Sequence, residues 1–344
     1  MMHAAALSAR STALHRAAFV ADGHADTLGR FYFMGGSFTE PAPGQQIDLE
    51  RLRQGGVGLQ VMACCPVWGK LAPGTRRTCA RAVFNMIDIL HRELDAYPDL
   101  RLVTDAAGLE RLVEARRSGE QPVGLVLGIE GGEALEGDLA LLRTFHRLGV
   151  RLVTLTHNFR NELADGAYEE SPGGLTRFGR QVVEEMNRLG VVIDVSHLAP
   201  AGFWQVLELS SAPVVASHSN ARALCGHRRN LTDEQAEALA AKGGVVGVTF
   251  CPLFLREAPD DQHPLPASLS DVLDQIDYLV NLVGPDHVAL GSDFDGIDTV
   301  PRGLEDVSRL PALTRGLLER GHSEEAIRGI LGENLLRIFR AVWR

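Results

Sequence analysis

His24 and Asp26 stand two residues apart at the end of a short apolar run. In an extended strand, residues i and i+2 point to the same side, so this imidazole and this carboxylate can reach one point in space. Glu130, His157, His197, His218 and Asp293 each end a further apolar run. Nitrogen and oxygen donors converging from several strand ends predict a metal-assisted hydrolase site.

Each member also has a plainer reading. A lone His-x-Asp says little. Glu130, in Gly128-Ile129-Glu130-Gly131-Gly132, could be a carboxylate at a helix N-terminus. A phosphate loop fits less well, because no G-x-G-x-x-G or Walker pattern follows. With two carboxylate oxygens, Glu130 could instead bridge two metals. His197 and His218 each close a Ser-His at the end of an apolar run and could be satisfied core histidines, but the pair on adjacent strands favours ligation. Asp293 lies in Ser292-Asp293-Phe294-Asp295-Gly296. An EF-hand loop is excluded there, because the glycine is misplaced and the closing glutamate is missing. The better reading is a rim carboxylate acting as general base and then acid. His157 could ligate metal or polarise a carbonyl. Arg228-Arg229-Asn230 reads as solvated loop charge or as a guanidinium fork for a substrate carboxylate. The remaining histidines, His15 and His227 among them, read as surface or structural.

These residues need elements that bring them together. Apolar, β-branched runs at 18–21, 57–64, 123–129, 152–156, 191–195, 214–216, 245–250 and 288–290 read as eight buried strands. Helical segments alternate with them. One spans 78–96 and another 105–117, with Thr104 as its cap. Thr232 to Gln235 forms a capping box, a helix spans 269–282, and Ser323 caps a last helix running towards Trp343. Alternation implies a parallel sheet, and eight repeats predict a closed (β/α)8 TIM-like barrel, one catalytic domain over 1–344, rather than an open doubly wound sheet. Active sites of such barrels lie at the C-terminal ends of the strands, where all seven candidate metal and acid–base residues fall. Loops at 35–46, 165–174 and 257–266 are long, and the first and last could form lids.

The 344 residues carry a formal charge of −10, with 45% hydrophobic and 23% charged residues. That balance suits a globular enzyme and argues against nucleic acid or an anionic membrane as partner. The N-terminal apolar stretch is broken by Ser8, Arg10 and Ser11 and has no secretory character, which predicts a cytoplasmic protein. Five cysteines without a C-x-x-C read as reduced, buried thiols, with a Cys225–Cys251 disulfide as the alternative.

The motifs D-G-H-x-D, G-x-E-G, L-T-H-N, D-x-S-H, S-H-S, R-R-N and G-x-D-F-D-G occur in order along nearly the whole chain. In this the chain resembles the membrane (renal) dipeptidase family, metallopeptidase family M19, within the amidohydrolase-like barrels. The resemblance implies a two-zinc dipeptidase, other divalent metals being possible. His24 and Asp26 would hold one ion, His197 and His218 the other, and Glu130 would bridge them. Asp293 would shuttle the proton, His157 would contact the scissile carbonyl oxygen, and Arg229 would bind the dipeptide's terminal carboxylate. The nucleophile would be a hydroxide between the metals. Family members often accept a D-residue at the C-terminal position and often pair as homodimers. Animal members are secreted, lipid-anchored and disulfide-linked. Here no signal peptide or hydrophobic C-terminal tail is found, and Phe159 replaces one of their cysteines, so the chain resembles a soluble bacterial relative. Two other readings stay open: hydrolysis of a β-lactam, lactone or phosphotriester on the same scaffold, and a non-catalytic barrel that binds zinc or a ligand.

Overall fold

The computed structural model describes residues 2–67 and 78–344. Its parallel strands are Val20–Ala25 (β1), Val57–Cys64 (β2), Leu100–Leu102 (β3), Val123–Glu130 (β4), Val150–Thr154 (β5), Val192–Asp194 (β6), Val215–Ala216 (β7), Val245–Val248 (β8) and Val288–Leu290 (β9). Eight of them close a (β/α)8 barrel in the order β2, β1, β9, β8, β7, β6, β5, β4, with β4 returning to β2. β3 is the addition that the apolar runs did not predict. It pairs with the first residues of β4, Leu100 to Val123 through Leu102 to Leu125, and β5 takes over the same edge from Leu127.

The strand ends also differ from expectation. β1 does not stop at residue 21 but continues through Asp22, Gly23 and His24, all buried. Glu130 likewise is the last residue of β4, not the first of the loop. β1 pairs with β2 and β9 through Asp22, and β4 pairs with β5 through Glu130, so these polar residues lie inside the strands; the register of β1 to β2 shifts between Asp22 and Ala25, around His24. The buried fraction explains the composition of the runs: every residue of β2 and β4 is buried, as helices outside and side chains inside require.

Ala21, Leu59, Val61, Val126, Leu152, Val192, Val215 and Val245 share a cluster with Leu335, Leu336, Ile338 and Phe339 of the C-terminal helix. That helix therefore covers the end of the barrel opposite the candidate residues. It is not the continuous helix predicted. Ser323 caps Glu324–Arg328, a wider π turn spans Gly329–Glu333, and an α-helix resumes over Asn334–Val342. The chain passes so close to β1 here that a Cβ on Gly332 would lie 2.1 Å from the Phe19 carbonyl oxygen. Asn334 then donates to the Pro285 and Val288 carbonyls at 2.7 and 2.8 Å.

Capping follows the sequence at Thr232, which accepts a helix N–H group as expected. Thr78, read as the first helical residue, lies just outside Cys79–Ala96 and caps it. Asp105, not Thr104, caps Ala106–Arg117, accepting from Gly108 N at 2.6 Å. The 35–46 loop is pinned at its end: Gln46 N donates to Asp295 Oδ1 and Asp295 N to Gln46 Oε1, each at 2.7 Å. The five cysteines are free thiols, so the Cys225–Cys251 bridge is absent. Among the described residues, no helix is long and apolar enough to cross a membrane.

Two outer helices, Leu139–Arg147 and Arg177–Leu189, are tied by Glu185, which accepts from Arg143 at 2.5 Å and from both Nε and Nη2 of Arg188 at 2.7 Å. The Arg188 hydrogen bonds, with Arg143, hold its carboxyl at about 2. A depressed carboxyl stabilises the fold above its unfolded value near ~4.3, and that contribution is lost as pH falls through the folded value. Arg188 is exposed and Arg143 partly so, and solvent screens both, so Glu185→Gln should cost only about 1 kcal/mol at pH 7. The gap between the urea midpoints of parent and variant should hold from pH 7 to about 5 and close as pH falls from ~4.3 towards 2; a gap independent of pH would assign Glu185 a packing role only.

Candidate metal centre

Glu130 ends β4 with its two oxygens facing different neighbours. Oε2 lies 3.7 Å from His24 Nε2. Oε1 lies 2.9 Å from His197 Nε2 and 3.4 Å from His218 Nε2. On the first side, His24 Nε2 is 3.5 Å from Asp26 Oδ2 and 4.0 Å from Asp293 Oδ1. On the second, the Nε2 atoms of His197 and His218 face each other at 2.8 Å. The expected residues thus converge in two groups divided by one carboxylate. His24, Asp26, Glu130 and His218 are each no more than 3% exposed.

Local backbone geometry aims them. His197 and Asp293 both adopt φ of 67°, a left-handed conformation uncommon outside glycine and typical of functional positions. Asp22, buried under the site, accepts from Ser292 N at 2.8 Å and from its hydroxyl at 2.5 Å, which fixes the residue before Asp293. Gly296 is required sterically: a Cβ there would lie 2.1 Å from Asp26 Oδ2 and 2.7 Å from Asp293 Oδ1.

The donor set fits divalent cations. His197 Nδ1 is 2.9 Å from Asn158 Oδ1, an acceptor, so this nitrogen carries the hydrogen and Nε2 keeps its lone pair. His218 Nδ1 is matched by Ser217 Oγ at 2.7 Å. Both His24 nitrogens and Asp26 Oδ1 are buried and have no hydrogen-bond partner among the described residues. Buried polar atoms are normally paired, and lone pairs facing one another at this range need an electrophile between or beside them. Imidazole nitrogen with carboxylate oxygen suits zinc and related divalent ions.

Charge in the site is correspondingly unbalanced. Burial alone would raise the Glu130 carboxyl, but His24, His197 and His218 outweigh it and hold it well below the usual range. Burial raises Asp26, and the Glu130 charge adds to it. Burial would lower His24, yet Glu130, Asp26 and Asp293 bring it up to about 10. His218 falls to about 3 through burial and the nearby His24.

His157, in the loop after β5, lies 4.6 Å from the His197 ring, centroid to centroid, with the rings tilted by 30°. Cys65, the residue after β2, was not anticipated. Its sulfur, a Glu130 oxygen and a His157 nitrogen lie within 4.8 Å of one another. Burial, with the Glu130 and Asp26 charges, pushes its thiol upward. Its only signal in the sequence is its place at a strand's C-terminal end.

Arg229 is not solvated loop charge. It is 3% exposed, donates to the His218 carbonyl at 3.2 Å, lies 5.3 Å over the Phe254 ring and has no partner for Nε among the described residues. Arg228 is different: it is exposed and lies 5.0 Å over the Tyr168 ring. Asn230 holds the loop by donating to the Cys225 and Phe254 carbonyls. His227 belongs to this wall too, 3.2 Å from the Tyr168 hydroxyl and 3.3 Å from Asp261 of the 257–266 loop. That loop therefore reaches the site's rim.

This geometry can be set beside known proteins. The family model for Membrane dipeptidase (Peptidase family M19) matches residues 8–344. Dipeptidase aclJ of Aspergillus oryzae is 39% identical over 300 residues, covering 85% of this chain and 69% of that protein. Dipeptidase 3 of Mus musculus is 39% identical over 305 residues, 86% of this chain but 58% of that protein, so the chain spans less than two thirds of the mouse relative. The crystal structure of a metallo peptidase from Rhodobacter sphaeroides, liganded with a phosphinate mimic of the dipeptide L-Ala-D-Ala, superposes with a TM-score of 0.83 at 30% identity, covering 95% of this chain and 99% of that one. A match over nearly the full length, on a barrel whose rim gathers the motif residues, means that the chain belongs to the membrane dipeptidase family, peptidase family M19.

Proposed function

We propose that this chain hydrolyses dipeptides with two zinc ions, or another divalent pair, held by His24, Asp26, His197 and His218 with Glu130 between them. The carrying observation is the division of the Glu130 oxygens between two groups of donors. When bound, such ions would lower the pKa of water towards ~7 and draw charge from the scissile carbonyl. Asp293 takes the water's proton and delivers it to the leaving amine. His157 is kept neutral by burial and donates its N–H to the carbonyl oxygen. Arg229 anchors the terminal carboxylate, which limits substrates to short peptides ending one residue beyond the reacting bond. No serine or cysteine nucleophile is needed.

The test is a panel of L-X-L-X and L-X-D-X dipeptides, a β-lactam, a lactone and a phosphotriester. Turnover restricted to dipeptides supports the reading; comparable turnover of the uncharged esters would move it to a different hydrolase. Dipeptides carrying a D-residue at the C-terminal position are included because the Rhodobacter structure holds a mimic of one.

Elemental analysis of protein prepared without chelator should approach two divalent ions per chain. A reproducible limit of one with excess zinc would contradict the bridging role of Glu130.

A further inference from the structure

Asp194 ends β6 with no exposure and lies under the His197–His218 side of the site. Its Oδ1 accepts from the backbone N–H groups of Ser196 and Ser217, both at 2.9 Å. Its Oδ2 accepts from the hydroxyls of Thr154 and Ser217, both at 2.6 Å. One carboxylate therefore joins the ends of β5 and β6 and the residue after β7. The Ser217 hydroxyl also lies 2.7 Å from His218 Nδ1.

A carboxylate only accepts hydrogen bonds, and a hydroxyl has one hydrogen to give. The Ser217 hydrogen is committed to Asp194. Its lone pair then faces Nδ1, which must carry the imidazole hydrogen. His218 is left with the Nε2 lone pair aimed at Glu130 and His197. His197 reaches the same state through Asn158, but His24 has no partner on Nδ1 among the described residues. Outer partners of this kind set tautomer and ring orientation, and removing one typically costs about 10–100-fold in metal affinity.

We propose that Asp194 is a positioning residue of the metal centre, acting through Ser217 to hold His218 in the tautomer whose Nε2 can ligate a cation. The proposal rests on the metal-centre reading above, and goes beyond it by making one ion's affinity depend on a residue that touches no ligand atom. It also predicts an order of effects. In Asp194→Asn the amide oxygen can keep the two backbone N–H groups, which turns the amide N–H groups towards the hydroxyls. Ser217 must then accept from the amide and donate to His218 Nδ1. The relay reverses, and the hydrogen moves to Nε2. Ser217→Ala removes the relay without reversing it.

The experiment uses the full chain labelled with 15N-histidine. Long-range 1H–15N spectra of the metal-free protein report the tautomer of His218, and zinc titration against a competing chelator reports both ion affinities. The parent should show the Nδ1–H form. Asp194→Asn should shift His218 to Nε2–H and weaken one ion about 100-fold; Ser217→Ala should show mixed tautomers and weaken one ion about tenfold. Ser217→Ala keeps the test open if Asp194→Asn does not fold. An unchanged tautomer and unchanged affinities in Ser217→Ala would overturn the proposal. A parent that binds no zinc, with the His218 tautomer still shifting in Asp194→Asn, would sink the metal-centre reading and leave the relay standing.

Discussion

Asp293→Asn should keep both ions and lose about 10²–10⁴-fold in turnover, the usual contribution of a general acid–base group. Asparagine has nearly the same shape and can still hydrogen-bond, but it cannot take a proton from water. The Asp293 backbone N–H is bonded to the His24 carbonyl at 3.2 Å, so the loop is fixed by groups that the substitution leaves alone. Burial raises this carboxyl to about 6, with Glu130 adding to the rise and His24 and Arg229 opposing it. A carboxyl in that range can accept and return a proton near neutrality. The sign follows: the base form is lost as pH drops through the group's pKa, so kcat/KM of the parent should fall on the acid side. Nearby cations would draw that limb to lower pH. The variant's residual activity should lack the limb. The competing role is ligation, because Asp293 Oδ1 lies 4.0 Å from His24 Nε2 and shares a possible cation position with Asp26. Metal content separates them. Ion loss in step with activity would make Asp293 a ligand.

Most of this rim was legible because ligand chemistry and strand periodicity coincide. His24 and Asp26 announce themselves by spacing, and His197 and His218 by ending runs on adjacent strands. What was hidden depends on contacts distant in sequence. Asp194 looks like one more residue of a buried strand, and its meaning appears only when Ser217 is brought beside it. Cys65 has no partner at a telling spacing. β3 is three residues long with Arg101 exposed, so it makes no apolar run. The π turn answers a close approach to Phe19 that no periodicity records. Arg229 was ambiguous for a related reason: a loop arginine is normally solvated, and its burial is a property of how Phe254 and the loop around Asn230 pack.

That burial makes Arg229 the residue expected to set substrate class. Taking a guanidinium out of water is costly unless it is paired. Among the described residues, Arg229 has one hydrogen bond to a backbone carbonyl and an unpartnered Nε, and the carboxylates that favour its charge, Asp293 and Glu130, act at a distance. A dipeptide's terminal carboxylate would complete it with two parallel hydrogen bonds, a geometry that lysine cannot copy. One charge-assisted bond contributes ~1.5–3 kcal/mol, or about 10–150-fold in kcat/KM. Arg229→Ala should therefore weaken hydrolysis of free-acid dipeptides at least about tenfold by that measure, and Arg229→Lys should recover only part. A C-terminally amidated dipeptide should be a poor substrate for the parent and little affected by Arg229→Ala. The deciding measurement is a two-by-two set of kcat/KM values, parent and Arg229→Ala with acid and amide, taken with metal content because Arg229 also holds the His218 carbonyl. Equal losses on both substrates at full metal loading would remove Arg229 from carboxylate recognition. Arg228, exposed over Tyr168, would then be the next residue to test.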